Sequence, residues 1–175
     1  MGITSVCHST TWALRNSTLP LVDNSANKTT AFILTTEDGT PLDNNITVTT
    51  INNTDVIQTS LASKTVAYWL TTAVSGDLVT MYSSDITFTV YHTSSEGAML
   101  VDTKVIIMGR NGSRLEIAVP RVEPGQITVV TVGVSEDTVT QMGKNVTRPE
   151  LMLALTDVQA ILLPASYNSL SHMTR

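Results

Sequence analysis

Alternating apolar and hydroxyl-bearing positions run through most of the chain and predict β-strands. The clearest case covers residues 85–93, where Ile86, Phe88 and Val90 alternate with threonine and tyrosine. A strand of this kind covers a hydrophobic core with one face and shows the other face to water. The same period of two recurs along the chain, so strands are the main element that the sequence predicts.

Shorter runs predict the remaining strands, separated by turn residues. They lie near residues 32–36, 46–52, 66–70, 78–82, 104–108, 114–119 and 126–134. The last run is the longest and most apolar, which favours a central strand. Asn111-Gly112 predicts a two-residue hairpin turn. Residues 1–30 look polar and irregular, with Trp12 and Leu14 as anchors to the body.

One short helix is predicted late in the chain. Thr147 can cap its start, and Glu150 can reach back to the N–H of the cap. Pro149 falls in the first turn, where its missing N–H costs nothing. Leu151 and Leu155 then recur at helical spacing, ahead of an apolar final strand.

About nine or ten short strands and one helix predict an all-β fold, an antiparallel β-sandwich of jelly-roll type. The chain has 175 residues, of which 42% are apolar. That length and composition suit one domain with a substantial core.

The late helix and final strand also carry a family resemblance. Residues 147–167 resemble T-R-E-x-L-x-x-x-L-x-x-[ILV]-x-x-[IL]-x-[IL]-x-A-[ST]-Y, the closing pattern of the laminin IV type A domain of laminin α and γ chains and perlecan. Pro149 replaces the family's Glu, and Pro164 lies inside the last strand. A second block, residues 68–90, is similar to the family's Y-x-W and G-D-x-V segments, with Ser83-Ser84 in place of Gly-Gly. Together the resemblance spans roughly residues 60–168.

The amino end resembles a neighbouring module of the same family. Residues 2–9 look like G-x-[ST]-x-x-C-x-S, the end of the EGF-like half-module that precedes this domain. The resemblance implies that residues 1–15 end such a half-module and lead in, and that residues 16–170 form the laminin IV type A-like domain. It also makes Cys7 a candidate for a disulfide to a neighbouring module. The alternative is an unpaired cysteine at a flexible end.

Charge and hydropathy limit the classes of partner that the sequence suits. Only 14% of residues are charged and the net charge is −5. The ten basic residues form no cluster, so a phosphate-backbone partner is disfavoured and no nucleic acid is expected. No run approaches about 18 apolar residues, so no membrane insertion is expected. The sequence starts without an apolar leader, and we expect secretion to be specified by a longer parent protein.

Six N-x-[ST] sequons point to a secretory pathway. They begin at Asn16, Asn27, Asn45, Asn52, Asn111 and Asn145. With 45 Ser and Thr residues and ten Asn, chance gives roughly two or three. All six fall in predicted loops or strand ends, where a glycan can be tolerated.

The sequence contains few residues or motifs that indicate a catalytic site. His8 and His172 lie near the ends, and His92 closes a predicted strand as an exposed or edge residue. No metalloprotease, nucleophile-elbow, phosphate-loop or C-x-x-C motif is present. A pair of carboxylates that converge in space, as in glycosidases, stays open because it leaves no local motif.

Two binding chemistries remain as weaker alternatives. Asp77, Asp85 and Asp102 lie near strand ends and are candidate ligands for a structural calcium, although ordinary turn chemistry explains them too. Tyr68 and Tyr91 could form an exposed platform for sugars, whereas Trp69 and Phe88 suit the core. No other cofactor is expected.

The resemblance therefore implies a non-enzymatic, secreted module of a basement-membrane protein, either perlecan-like or a laminin chain. It would act as a globular, glycosylated spacer and adhesion surface, with EGF-like modules and matrix or cell-surface proteins as partners. The alternative function is a carbohydrate-binding β-sandwich. No Arg-Gly-Asp tripeptide supports integrin binding.

Overall fold

The chain folds as two antiparallel β-sheets packed face to face. A computed structural model describes residues 3–14, 17–20, 32–43, 46–51, 54–61, 66–92, 98–99, 103–166 and 168–169. The strands, in chain order, are β1 (Ile3–Leu14), β2 (Ser17–Pro20), β3 (Ile33–Thr35), β4 (Ile46–Ile51), β5 (Thr54–Leu61), β6 (Tyr68–Thr71), β7 (Asp85–His92), β8 (Ala98–Met99), β9 (Lys104–Gly109), β10 (Arg114–Ala118), β11 (Thr128–Gly133), β12 (Val139–Gln141), β13 (Lys144–Asn145), β14 (Val158–Pro164) and β15 (Asn168–Ser169).

The first sheet runs in the order β11-β7-β1-β5-β4, and β2 pairs with the second half of β1. The second sheet runs in the order β13-β12-β10-β9-β14-β6-β3. A separate pair joins β15 to β8. Neighbouring strands are antiparallel throughout, so the predicted all-β antiparallel sandwich is confirmed.

The core lies between the inward faces of the two sheets. From the first sheet, Ile86 and Phe88 are at most 1% exposed, as the alternation over residues 85–93 predicts. From the second sheet, Trp69, Ile107 and Ile161 pack into the same cluster. Trp69 and Phe88 are therefore core residues, as predicted. Burial of apolar area at about 25 cal/mol per Å² makes this interior the main source of stability.

One short helix, α1 (Arg148–Leu155), packs beside this core and follows the predicted capping pattern. A carboxylate oxygen of Glu150 accepts the backbone N–H of Thr147 at 2.8 Å and its hydroxyl at 2.7 Å. Pro149 lies in the first turn. Leu151 and Leu155 are fully buried, so the predicted apolar face is the one that packs.

The amino-terminal segment differs from the prediction. Instead of an irregular arm, Ile3–Leu14 is the strand β1, with β7 on one side and β5 and β2 on the other. Cys7 lies opposite Val90 on one neighbour and opposite Ile57 on the other. Backbone pairing on both sides explains how a polar segment becomes a central strand, because tertiary context outweighs composition.

Two further strand predictions need correction. Residues 79–81 form a single turn of 3-10 helix rather than a strand, and the Asp77 carboxylate accepts the N–H of Val79 at 3.1 Å at its start. The long apolar run near residue 130 forms β11, which ends the path of the first sheet instead of crossing its centre. Its side chains alternate: Val130 and Val132 are buried, whereas Val129 is 65% exposed.

The β9–β10 hairpin is confirmed, but its turn is longer than predicted. The N–H of Gly109 donates to Ser113 at 2.8 Å, and the N–H of Gly112 donates back to Gly109 at 3.1 Å. Three residues, 110–112, therefore form the loop, and only Gly112 has a positive φ, of 80°. This is the three-residue hairpin built on a type I turn, not the two-residue turn that Asn-Gly suggested.

Candidate functional site

The outward face of the second sheet carries an apolar patch covered by charged residues. Tyr68, Ile106 and Leu162 form a separate buried cluster on this face, at 3%, 0% and 0% exposure. Leu70 and Met108 pack against it. A β-carbon placed on Gly39 would lie 3.7 Å from Leu70 and 3.9 Å from Met108, so the turn after β3 lies directly over these side chains.

Four charged side chains hold that turn in place; we call them the charged cluster (Glu37, Lys104, Arg114 and Glu116). The Lys104 ammonium lies 2.9 Å from the Glu116 carboxylate and 3.1 Å from that of Glu37. Arg114 donates from Nε to Glu116 at 2.8 Å and from Nη2 to the Glu37 carboxylate. It also donates to the Glu37 backbone carbonyl at 3.3 Å.

The charges of this cluster cancel, which determines what it can do. Burial by itself would raise the pKa of the Glu116 carboxyl, but hydrogen bonds from Lys104 and Arg114 together lower it. Burial likewise raises the pKa of the nearby Tyr68 phenol to about 12. The two cations are paired with the two carboxylates, so the cluster has no excess charge with which to bind a ligand. Its ion pairs hold the turn after β3 on the outward face of the sheet.

A second group of polar contacts surrounds the start of α1. The Tyr82 hydroxyl donates to the Glu136 carboxylate at 2.8 Å, and the Arg148 guanidinium lies 4.9 Å above the Tyr82 ring. The hydrogen bond to Glu136 raises the pKa of the Tyr82 phenol. These contacts connect the loop before β7, the loop after β11 and the helix, so they too are structural.

Two of the three predicted calcium ligands lie in the described part of the chain, and calcium binding stays a prediction. Asp77 caps the 3-10 turn through Val79, which is the turn chemistry considered as the alternative. Asp85 is exposed at the start of β7. Asp102 lies outside the described residues. Among the residues that the structure describes, no three His, Cys, Asp or Glu side chains are placed to hold a metal ion.

Two of the six sequons can be located. Asn111 is exposed in the β9–β10 turn, where its side-chain oxygen accepts the N–H of Ser113 at 2.9 Å. Asn145 is exposed in β13. The sequons at Asn16, Asn27, Asn45 and Asn52 lie outside the described residues. Glycan attachment at all six stays a prediction.

The structure corrects the exposed positions considered for Tyr68 and predicted for His92. Tyr68 cannot act as an exposed sugar platform because it is buried beneath the charged cluster, and Tyr91 is half-buried. His92 is 1% exposed rather than solvent-facing, with Nε2 3.1 Å from the Val122 carbonyl oxygen. His8 lies in β1, and His172 lies outside the described residues.

Sequence reasoning missed the charged cluster, although part of it could have been found. Lys104, Arg114 and Glu116 occupy alternate positions of two strands that the sequence did predict, which places them on one face. Glu37 is 77 positions away from Arg114 in the chain and gives no local signal. No helix in the described part of the chain is long and apolar enough to cross a membrane.

Comparison with known proteins agrees with this architecture. The described residues form a β-sandwich module with one short α-helix, and the family model for Laminin B (Domain IV) matches residues 68–175, more than half of the chain. The chain belongs to this laminin domain IV family. The L4b domain of human laminin alpha-2 is a similar solved structure, with a TM-score of 0.62 and 16% identity, covering 86% of this chain and 91% of that one. No curated protein matches the chain.

Proposed function

We propose that this chain is a non-catalytic structural module of a secreted extracellular-matrix protein, a globular spacer set between EGF-like modules. The observation that carries the proposal is its membership of the laminin domain IV family over residues 68–175. Domain IV modules of laminins belong to matrix assemblies, and this membership supports a role as spacer and matrix contact surface in a perlecan-like or laminin chain.

The use of charged side chains supports a structural role. Glu150 caps α1, Glu136 accepts the Tyr82 hydroxyl, and the charged cluster fastens a turn. Each of these groups is occupied by a contact inside the module. A catalytic site would instead present acids, bases or nucleophiles with perturbed pKa values in a shared cleft. We therefore attribute the function of this module to its shape and its surface rather than to a reaction.

The first and the last long strands of the described chain, β1 and β14, both lie inside their sheets, which suits a spacer. β1 has neighbours on both sides in the first sheet, and β14 lies between β9 and β6 in the second. Tension transmitted through these strands would load the ladders of both sheets together. A module that is held this way separates its neighbours at a constant distance until the sandwich itself opens.

Glycans on two exposed hairpins of the second sheet would cover part of the surface of this spacer. Asn111 and Asn145 both lie on hairpins of the second sheet and are exposed. We propose that both are modified in a eukaryotic secretory pathway. Cys7 is the second chemical marker, because an intermodule disulfide requires its thiol to reach a cysteine of a neighbouring module.

Expression of the chain between its EGF-like neighbours in a secretory host tests the proposal. Mass spectrometry of the secreted protein should find glycans at Asn111 and Asn145, and Ser113→Ala should remove the glycan at Asn111 alone. Thiol alkylation before digestion shows whether Cys7 is bridged to a neighbour or reduced. Retention in the cell with bare sequons, or hydrolytic activity that survives purification, would overturn the assignment.

A further inference from the structure

The turn between β9 and β10 places an asparagine where it can react with its own backbone. Asn111 is exposed at this turn, and of the ten asparagines in the chain it is the only one that precedes a glycine. In such a reaction the backbone nitrogen of the following residue attacks the side-chain amide carbon. A side chain on the following residue obstructs this approach, and Gly112 has none.

The attacking nitrogen belongs to an open part of the turn. Gly112 is exposed, and a β-carbon placed on it would meet no atom within 4 Å, so a base from solvent can reach this backbone segment. The N–H of Gly112 donates to the Gly109 carbonyl at 3.1 Å, and this bond has to open before the nitrogen can attack. Bonds at exposed loops open at a much lower free energy than those of central strands, so the fold permits this step.

The amide that would be attacked is held by a hydrogen bond on its oxygen. Asn111 Oδ1 accepts the backbone N–H of Ser113 at 2.9 Å. Attack on the amide carbon moves negative charge onto this oxygen, and an N–H already directed at it stabilises that charge, as the donors of an oxyanion hole do. The turn therefore supplies an unhindered nucleophile and a polarised amide in adjacent residues.

We propose that Asn111 is a self-modifying site that converts to aspartate and isoaspartate without an enzyme. The Gly112 nitrogen loses its proton and bonds to the side-chain carbon of Asn111, and the side-chain amide nitrogen leaves as ammonia. The product is a five-membered succinimide ring. Water then opens the ring at the side-chain carbonyl to give aspartate, or at the backbone carbonyl to give isoaspartate. One water is consumed and one ammonia is released, whatever role the module has in its parent protein.

The conversion changes the chemistry of the hairpin in two ways. Either product removes the sequon at Asn111 and adds one negative charge to a chain that already carries −5. Aspartate keeps an oxygen for the Ser113 N–H and makes that bond charge-assisted. Isoaspartate instead routes the backbone through the side chain and adds a methylene to the loop that precedes Arg114. We therefore expect the aspartate form to keep the hairpin and the isoaspartate form to loosen it.

Ageing of the full chain in mildly alkaline buffer tests the proposal. The chain is made in a host that attaches no N-glycans, because a glycan would occupy the same nitrogen, and peptide mass spectrometry follows each asparagine. Asn145 is the matched control: it is exposed on the neighbouring hairpin, but the buried, β-branched Val146 follows it. Asn111 should convert at least about tenfold faster than Asn145, with both products present. An Asn111 that stays an amide, or that converts no faster than Asn145, overturns the proposal.

Ion-exchange chromatography of variants is the second measurement. Asn111→Gln keeps an exposed amide but moves its carbon one bond further from the attacking nitrogen, so this variant should not accumulate the acidic form that aged wild type shows. Asn111→Asp should elute with that acidic form and keep the circular dichroism spectrum of wild type. If Asn111→Gln became acidic as fast as wild type, the reacting residue would lie elsewhere and the assignment to Asn111 would be wrong.

Discussion

Arg114 binds both the backbone carbonyl and the carboxylate of Glu37, a residue 77 positions earlier in the chain. Through this contact, the turn after β3 is fastened to the outward face of the second sheet. Lys104 and Glu116 complete the charged cluster, and Tyr68 lies buried near it. The cluster and the apolar patch below it therefore stabilise each other.

Replacing Arg114 tests whether this fastening contributes to stability. Arg114→Ala should lower the free energy of unfolding by about 1–2 kcal/mol, because it leaves two half-buried carboxylates short of a partner. Arg110→Ala is the matched control: Arg110 pairs with Asp157, but the two side chains are 63% and 54% exposed. That variant should change stability by less than about 0.5 kcal/mol. Urea denaturation midpoints give both values, and equal losses would contradict the structural role of the cluster.

The lowered pKa of Glu116 predicts how acid affects the fold. A carboxyl whose folded pKa is below its ordinary value of 4.5 contributes stability above that value and loses it as the pH falls through the folded pKa. Glu116→Gln should therefore be less stable than wild type near neutral pH, and the difference should shrink below about pH 4. Urea midpoints measured across this range test it. A constant difference at every pH would show that Glu116 does not titrate differently in the two states.

The buried Tyr68 predicts a tyrosine that ionises late. Its pKa is raised to about 12, mainly by burial, so the neutral phenol is the form that the fold favours. The corresponding stability is present below the ordinary value of 10.0 and is lost as the pH rises toward 12. In an ultraviolet titration of the tyrosinates, Tyr68→Phe should remove the component that ionises near pH 12. If the folded variant and wild type gave the same titration curve, Tyr68 would not be buried.

The β12–β13 hairpin offers a stabilising change. Gln141 pairs with Lys144, and the two loop residues Met142 and Gly143 have φ of 52° and 75°. Two positive φ values define a type I′ turn, in which Asn-Gly is favoured. Met142 is 92% exposed and makes no packing contribution to lose. Met142→Asn should therefore raise the free energy of unfolding by about 0.5–1 kcal/mol.

The matched control for this turn is Gly143→Ala, which introduces a β-carbon at a positive φ. It should lower the free energy of unfolding by about 1 kcal/mol. Thermal unfolding of the two variants beside wild type measures both effects. An unchanged or lower melting temperature for Met142→Asn would show that the turn is not of this type.

The architecture could be predicted from the sequence because apolar and polar residues alternate along its strands and so identify the buried face of each strand. The alternation of Ile86, Phe88 and Val90 defined the core side of β7, and the capping pair Thr147 and Glu150 defined the start of the helix. Continued by one more step, the same alternation places His92 on the core side, where it lies. The exposed position predicted for it ignored that parity.

Other features depend on contacts that no local pattern contains. β1 is polar in composition and becomes a central strand through pairing with β5 and β7. Ser83 replaces a glycine of the family pattern and adopts a φ of 57°, a strain held by its N–H bond to the Val134 carbonyl at 2.9 Å. The charged cluster also depends on a long-range contact, because the fold of the second sheet brings Glu37 to Arg114, 77 positions later in the chain.

Hydrogen exchange of the full chain, read by mass spectrometry, tests most directly the claim that one sandwich includes the amino-terminal strand. Central strands open only with the whole fold, so peptides from β1, β7, β9 and β14 should share the slowest exchange. The loop at residues 120–127 is exposed apart from Val122 and Pro124, and it should exchange fast. If peptides covering residues 3–14 exchanged like that loop while β9 and β14 stayed protected, β1 would not belong to the sheet and the account would be wrong.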